Sequence, residues 1–275
     1  MNHFILDREP VIRISFFFGI LLFMAIWERL GPRRPLTTSR SIRWYSNLSL
    51  VFLDTLTVRL LLPTQAVGVA LSAGKHGWGI LNNAGLPNWV GIALGILILD
   101  LIIYLQHAMF HAIPAFWRLH RVHHTDLDFD VTTGVRFHPI EILLSMGIKM
   151  AAVVVLGSSA VAVILFEVLL NATSMFNHGN IRLPDRTDRV LRLLVVTPEM
   201  HRVHHSVVTK ELSSNFGFNF PWWDRLLGTY KAQPTRGHEG MIIGLSQFRN
   251  PKFLTLPWLI VIPFIDRIGD HPPKA

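Results

Sequence analysis

The feature that most constrains this chain is the way its apolar residues are gathered. Half of the 275 residues are hydrophobic and only 16% are charged, well below the roughly 25% of an ordinary soluble domain. The apolar residues form runs separated by stretches rich in His and Arg, whereas a soluble fold would distribute them in short periodic segments. The pattern predicts one all-α integral membrane domain, residues 1–275, with polar caps.

Two apolar segments precede the first histidine motif, and a third ends in it. Residues 14–27 form a short one, and residues 89–111 form the clearest span. Between them, residues 45–71 contain Asp54 and Pro63. Polar groups inside a span face protein or the membrane interface, and we expect this of Asp54.

A fourth apolar stretch, residues 140–176, is broken at Gly157. If the histidines before and after it meet in one site, it must cross the membrane an even number of times. We therefore expect a helical hairpin with its turn near Gly157, and about four transmembrane helices in all.

The composition of residues 181–250 predicts a polar, histidine-rich helical cap partly resting on the interface. The short stretch 253–265 contains two prolines and is expected to lie on the interface or pack on the cap.

The net charge of +8 does not indicate nucleic-acid binding, because the basic residues are scattered among loops instead of forming one face. Arginines between Arg33 and Arg43 outnumber the single Lys75 after the next span. The positive-inside rule then places that loop, and with it the histidine site, on the cytoplasmic side. The sequence does not distinguish a bacterial inner membrane from the endoplasmic reticulum.

The chain has 14 histidines and no cysteine, so a metal would be held by His, Asp or Glu. HAMFH places two imidazoles four residues apart, and HRVHH occurs twice with three imidazoles each. Positions i, i+3 and i+4 share one side of a helix. The eight histidines of these motifs are His107, His111, His120, His123, His124, His201, His204 and His205.

Two equivalent triads suggest two metal ions, each with about four nitrogens, and His178 could add a ninth. So many imidazoles at a membrane boundary are costly unless a metal keeps them neutral. Neutral imidazole suits iron, zinc, copper and nickel alike. The isolated His3, His76, His238 and His271 are expected to be ordinary surface or core residues.

Four further residues are candidates for supporting the ligands. Asp100 lies seven residues before His107 and could accept an imidazole N–H, or make an ordinary interhelical hydrogen bond. His138 could be a ligand, a supporting residue or a helix start. The last two belong to a polar stripe that follows a 4, 3, 4 spacing and should face a functional interior: Glu167, Asn171, Ser174 and His178.

The order of these motifs resembles the fatty acid hydroxylase and sterol desaturase superfamily. The resemblance implies a catalytic region at 100–230 with a non-haem di-iron centre, ligated by the eight motif histidines and His178. It also implies dioxygen as co-substrate, a lipid C–H bond that is hydroxylated or desaturated, and electrons from a separate reductase, ferredoxin or cytochrome b5-like donor. Some relatives carry a further His where this chain has Ser174. The resemblance rests on HAMFH, HRVHH, DVTTGVRFHP, NHGNIRLPD, TPEMHRVHH and NFPWWDRLLGTY.

Two other functions are compatible with imidazole clusters. A membrane zinc hydrolase would need a carboxylate base, and the usual HExxH motif fails because Ile242 stands where the second His belongs after His238 and Glu239. A non-enzymatic metal or haem carrier would need fewer histidines, or ligands nearer mid-bilayer. Dioxygen activation requires a redox-active metal, which zinc is not.

Overall fold

A computed structural model describes residues 2–266, and within them the predicted all-α fold is confirmed. Two isolated β-bridges, Pro32 with Ile181 and Ser206 with Ile243, are the only extended pairings in that range. The α-helices are α1 (Asn2–Asp7), α2 (Glu9–Leu30), α3 (Arg40–Leu61), α4 (Gln65–His76), α5 (Ile80–Asn83), α6 (Asn88–Ala112), α7 (Pro114–His124), α8 (Pro139–Leu156), α9 (Ala160–Asn177), α10 (Asp185–Leu191), α11 (Pro198–His204), α12 (Thr209–Leu212), α13 (Trp222–Leu226), α14 (Gly237–Gly240) and α15 (Leu256–Val261).

Five helical stretches in the described range are long and apolar enough to cross a membrane, where the sequence predicted about four. They are Glu9–Leu30, Arg40–Asn83, Asn88–Ala112, Pro139–Leu156 and Ala160–Asn177.

The predicted single helix over 45–71 is not continuous, because the chain breaks between α3 and α4. Pro63 lies in the break, and its ring and missing N–H do not allow a helix to continue. Asp54 on α3 is buried, as expected for an acidic group in a span.

The predicted hairpin is confirmed as α8 and α9. Gly157 ends α8 with φ of 67°, in the left-handed region that glycine adopts without strain. The turn also lies against the loop before α5, where a Cβ added to Gly79 would be 2.1 Å from the Gly157 nitrogen. Both glycines are therefore required by close backbone packing, and both ends of the hairpin return to the same side.

Two of the apolar cores join the long helices to one another and to the cap. One lies between α4, α6, α8 and α9 and includes Leu99, Val163 and Phe166. The other joins α3 and α7 to the cap, and Leu259 and Ile262 from the last apolar stretch are buried in it. The expectation that this stretch packs on the cap is confirmed.

The loop between α2 and α3, residues 31–39, is tied to the cap, and we call it the strap. The Arg33 amide donates to the Asn180 carbonyl at 3.0 Å. The amides of Thr37 and Thr38 both donate to the Asp128 carboxylate at 2.9 Å. The strap thus fixes the cap against the ends of the first long helices.

Candidate metal centre

The histidine motifs lie at the ends of helices that meet under the cap. HAMFH occupies the last turns of α6, and the first HRVHH ends α7. The second HRVHH begins in α11, which starts after an N-cap by Thr197 and has proline at N1, a position where the missing N–H costs nothing. His178 follows α9 as its C-cap.

Nine histidines form two groups, and within each group the ligand atoms all lie within 4.8 Å of one another. Every member is at most 2% exposed. The five-histidine group consists of His107, His111, His120, His124 and His204, and the four-histidine group consists of His123, His178, His201 and His205.

Each HRVHH pentapeptide contributes to both groups. The i and i+4 histidines of the first, His120 and His124, belong to the five-histidine group, while its i+3 member His123 belongs to the other. The second pentapeptide has the reverse arrangement, so His204 is the member that crosses over. The three imidazoles of one pentapeptide therefore do not serve a single group, because its i+3 and i+4 positions point about 100° apart.

Backbone carbonyls hold the outer ring nitrogens. Nδ1 of His107 lies 2.7 Å from the Phe216 carbonyl, and Nδ1 of His204 lies 2.7 Å from the Ser214 carbonyl. A ring that donates from Nδ1 keeps a lone pair on Nε2. Within residues 2–266 the Nε2 atoms of His107 and His204 are buried without a hydrogen-bond partner. Nitrogens held in this way are typical metal ligands.

The rings of the four-histidine group are also held by backbone carbonyls through Nδ1. His178 Nδ1 lies 2.7 Å from the Ser174 carbonyl, and its Nε2 lies 3.1 Å from His123 Nε2. The His123 ring also faces a carbonyl, that of Arg136, through Nδ1. Two lone pairs thus face each other with no proton between them, which is unfavourable unless a cation lies between them.

The spacing of the nitrogens fits a metal ion. Nε2 of His178 is 3.1 Å from that of His201 and 3.2 Å from that of His205. Ligands bonded at roughly 2.0–2.1 Å and separated by about 90–110° lie about 2.8–3.4 Å apart. The residues present therefore fit a bound metal.

Burial keeps these imidazoles neutral. It lowers the pKa of His120 and of His178 to about 3. For other members, such as His124 and His205, burial and then the neighbouring imidazoles lower the pKa well below its usual value. The lone pairs are therefore available to a metal at any physiological pH.

Glu141, which the sequence reasoning missed, supports one ligand. Its Oε1 lies 2.6 Å from His120 Nδ1, and both side chains are buried. A carboxylate in this position orients the imidazole and makes it a stronger donor. The available signal was an acidic residue at the start of an apolar helix, although helix starts favour acidic residues in any case.

The loop 215–220, NFGFNF, covers the histidines and was also missed. The Phe216 ring lies 5.4 Å from those of His107 and His204. The Phe218 ring lies 4.9 Å from His107 and packs into the core between the long helices. Phe218 thus stands between His107 and the apolar core of the long helices.

The predicted supporting residues have different places. Asp100 does not accept a ligand imidazole N–H, which was one of the two roles expected for it. Its carboxylate accepts hydrogen bonds from Trp223 Nε1 at 2.8 Å and from the Asn219 and Phe220 amides. It therefore holds the loop over the site instead of a ligand imidazole. His138 is the N-cap of α8, accepting from the Ile140 amide, and is in neither group.

The polar stripe divides in two. Asn171 is exposed and donates to the Glu167 carbonyl one turn back, so it does not line the site. Ser174 is buried and donates through Oγ to the Gly134 carbonyl at 2.7 Å, while its own carbonyl meets His178.

Of the isolated histidines, His76 is exposed and stacks on Trp78. His238 lies 2.9 Å from Glu199 in the cap. Nothing is described of the His3 side chain, and His271 lies outside the described residues.

A buried charge network lies directly behind the first pentapeptide. Arg43 bonds Asp126 at 2.6 and 2.9 Å and Asp130 at 2.6 Å, and Arg43 and Asp126 are fully buried. Arg136 donates to the Val122 carbonyl inside that pentapeptide. Burial alone would raise the pKa of Asp126, but the two guanidiniums hold it at about 2.

A family model described as fatty acid hydroxylase matches residues 92–229. Ornithine lipid hydroxylase OlsE of Rhizobium tropici is 26% identical over 230 residues, which cover 79% of this chain and 66% of that protein. Human alkylglycerol monooxygenase is 25% identical over 163 residues, 58% of this chain and 33% of its own length.

Human cholesterol 25-hydroxylase is 26% identical over 140 residues, half of each chain. This chain thus spans between about a third and just under two thirds of the length of these relatives. No solved structure matches it significantly.

Proposed function

The chain belongs to the fatty acid hydroxylase family, and from this premise we propose that it is a membrane-bound di-iron oxygenase that hydroxylates or desaturates a lipid C–H bond. One observation carries the proposal. Two buried groups of five and four histidines present nitrogen lone pairs to each other at cation-binding distances, next to a membrane-spanning core.

Two bound irons would supply the reductive activation of dioxygen that attack on an unactivated C–H bond requires. The nine histidines would hold them, and the carbonyls of Phe216, Ser214 and Ser174 orient three of those rings. The apolar wall formed by Phe216 and Phe218 excludes water from the reacting side. A dry site protects reactive species from side reactions.

We place the metal centre on the cytoplasmic side of the membrane. The strap belongs to the arginine-rich loop that the positive-inside rule assigns to the cytoplasm. Its bonds to Asn180 and Asp128 put it on the same side as the histidines. The even crossing of α8 and α9 is consistent with this, because His138 and His178 lie at the two open ends of that hairpin.

Hydroxylation of a lipid is the reaction we favour within the family. The three relatives above are named for ornithine lipid, alkylglycerol and cholesterol. We propose an amphiphilic lipid as the substrate, because the centre lies at the ends of helices that are long and apolar enough to span a bilayer. The electrons would come from a separate reductase, ferredoxin or cytochrome b5-like protein.

A zinc hydrolase is not favoured. Within residues 2–266 neither histidine group includes a carboxylate, whereas hydrolysis at zinc needs a base beside the bound water. Glu141 cannot readily serve, because its Oε1 already faces His120.

The test is metal analysis combined with oxygen consumption of the full chain in lipid nanodiscs. We expect two irons per chain, and oxygen uptake that requires both a reductant and a lipid. Zinc-loaded protein serves as the matched control and should be inactive. Full activity with zinc and without oxygen would contradict the proposal, and comparing lipids from cells with and without the protein would identify the substrate.

A further inference from the structure

An apolar groove lies between the end of α2 and the start of α3, next to the strap. Its volume is about 680 Å³. Ile26 and Leu30 in its wall are more than half exposed, as expected for side chains that meet lipid. The residues that line it are Ala25, Ile26, Arg29, Leu30, Arg40, Ser41 and Trp44.

A second cavity of about 400 Å³ shares Arg29 and Arg40 with the groove, and most of the residues that line it are charged or polar. Its wall also includes Glu28, Asp130 and Asn180. The two arginines therefore stand where an apolar compartment meets a polar one. This sequence of apolar wall, cations and polar wall matches the order of parts in a phospholipid.

The two arginines differ in their partners. Arg40 donates to Glu28 at 2.9 Å, and its guanidinium lies 5.0 Å from the centre of the Trp44 ring. Arg29 is exposed, and within residues 2–266 its side chain has no ion pair or hydrogen bond. Arg29 thus presents a cation beside the groove that no acidic side chain within residues 2–266 bonds.

We propose that this groove binds an anionic phospholipid. The acyl chains would lie along Ile26, Leu30 and Trp44, and the phosphate would lie between Arg29 and Arg40. Basic pockets between helices on the cytoplasmic side of a membrane bind anionic head groups. The polar cavity then accommodates the rest of the head group. The site is separate from the histidines and requires only that the chain resides in a membrane.

Native mass spectrometry of the detergent-purified full chain tests this. Dioleoyl-phosphatidylglycerol and dioleoyl-phosphatidylcholine are added separately, with inorganic phosphate as a competitor. We expect one phosphatidylglycerol per chain, retained at least about fivefold better than phosphatidylcholine, the effect of one nearby cation. Millimolar phosphate should not displace it, because the apolar groove contributes to binding.

Arg29→Gln should abolish the preference, and Arg40→Gln should reduce it. Arg59→Gln is the matched control, because Arg59 is an exposed arginine near the opposite end of α3, and it should leave the preference unchanged. If Arg40→Gln does not fold after losing its bond to Glu28, Arg29→Gln still decides. Equal retention of the two lipids, an unchanged preference in Arg29→Gln, or displacement by phosphate would overturn the proposal. Because the readout is lipid retention, it is independent of the proposed oxygenase activity.

Discussion

The two histidine groups are built from the same pentapeptide but are not equivalent. The five-histidine group is completed by His107 and His111 from one helix, whereas the four-histidine group is completed by His178 alone. One turn before His178, where a second imidazole would be expected by analogy with HAMFH, the chain has Ser174. The difference teaches that a repeated motif fixes the number of sites, while the neighbouring helices decide how each is completed.

The supports of the two pentapeptides also differ. The first is backed by the fully buried Arg43–Asp126 pair, and Glu141 holds one of its rings. The second is backed by Glu199, which is also buried but slightly more exposed than Asp126, and which bonds Arg33, Arg202 and His238. The following predictions test whether these differences govern metal binding and stability.

The largest effect is expected from the two histidines that cross between groups. His123→Ala and His204→Ala should each abolish lipid-dependent oxygen consumption. His123→Ala leaves three histidines in its group and should lower the iron content to about one per chain, whereas His204→Ala leaves four and should retain more. Iron analysis measures this, with the exposed His76→Ala as control. Equal iron loss in His123→Ala and His204→Ala would contradict the expectation that the five-histidine group tolerates the loss of one ligand better than the four-histidine group.

Asp126→Asn should destabilise the protein by about 3–5 kcal/mol, because it leaves Arg43 buried without its main partner. Glu199→Gln on the second side should cost less, since that carboxylate is less buried. The low pKa of Asp126 means that its ion pair stabilises the fold above pH 4 and is lost only as the pH falls toward about 2. In thermal unfolding from pH 5 to 8, the difference in stability between the unmodified protein and Asp126→Asn should therefore be constant. A difference that varied over this range would contradict the low pKa of Asp126.

Glu141→Gln should weaken iron binding about 10- to 100-fold in the five-histidine group, the usual effect of losing a carboxylate behind a ligand. Competition with a chelator measures this, and the four-histidine group should be unaffected. An unchanged affinity would show that the bond to His120 has no role in holding metal.

The smallest effect is expected from Ser174→Ala. It removes a hydrogen bond to the Gly134 carbonyl, worth about 1 kcal/mol, and should leave the iron content unchanged. A large loss of iron from the four-histidine group would instead identify the Ser174 hydroxyl as a ligand, and the two groups would then both have five.

Much of the fold could be predicted from the sequence because long apolar runs and helical histidine spacing are local signals. The hairpin at Gly157 followed from the break in the apolar stretch together with the requirement that the histidines before and after it meet in one site. The break near Pro63 could also have been predicted, because proline interrupts a helix. The apolar residues on both sides of it nevertheless suggested one continuous segment.

The division of the histidines could not be predicted. Within one helix the i+3 and i+4 side chains point about 100° apart, so HRVHH can contribute to two groups. Which group each ring joins depends on how the imidazoles of the two pentapeptides meet across the chain. The hydrogen-bond partners of Asp100 could not be predicted either, because the loop 215–220 that it holds has no helical or strand pattern in its sequence. Of the three roles that the sequence left open for His138, the structure shows the helix start, since its side chain caps α8.

The strap also restricts how reactants travel. Because it is bonded to segments that surround histidines at most 2% exposed, we expect it to hinder water-soluble reactants from reaching the centre. We expect a lipid to approach sideways from the bilayer, past side chains such as Phe218 that must swing aside at every visit. The product would return to the leaflet from which its precursor came, so the whole conversion would take place without a water-soluble carrier.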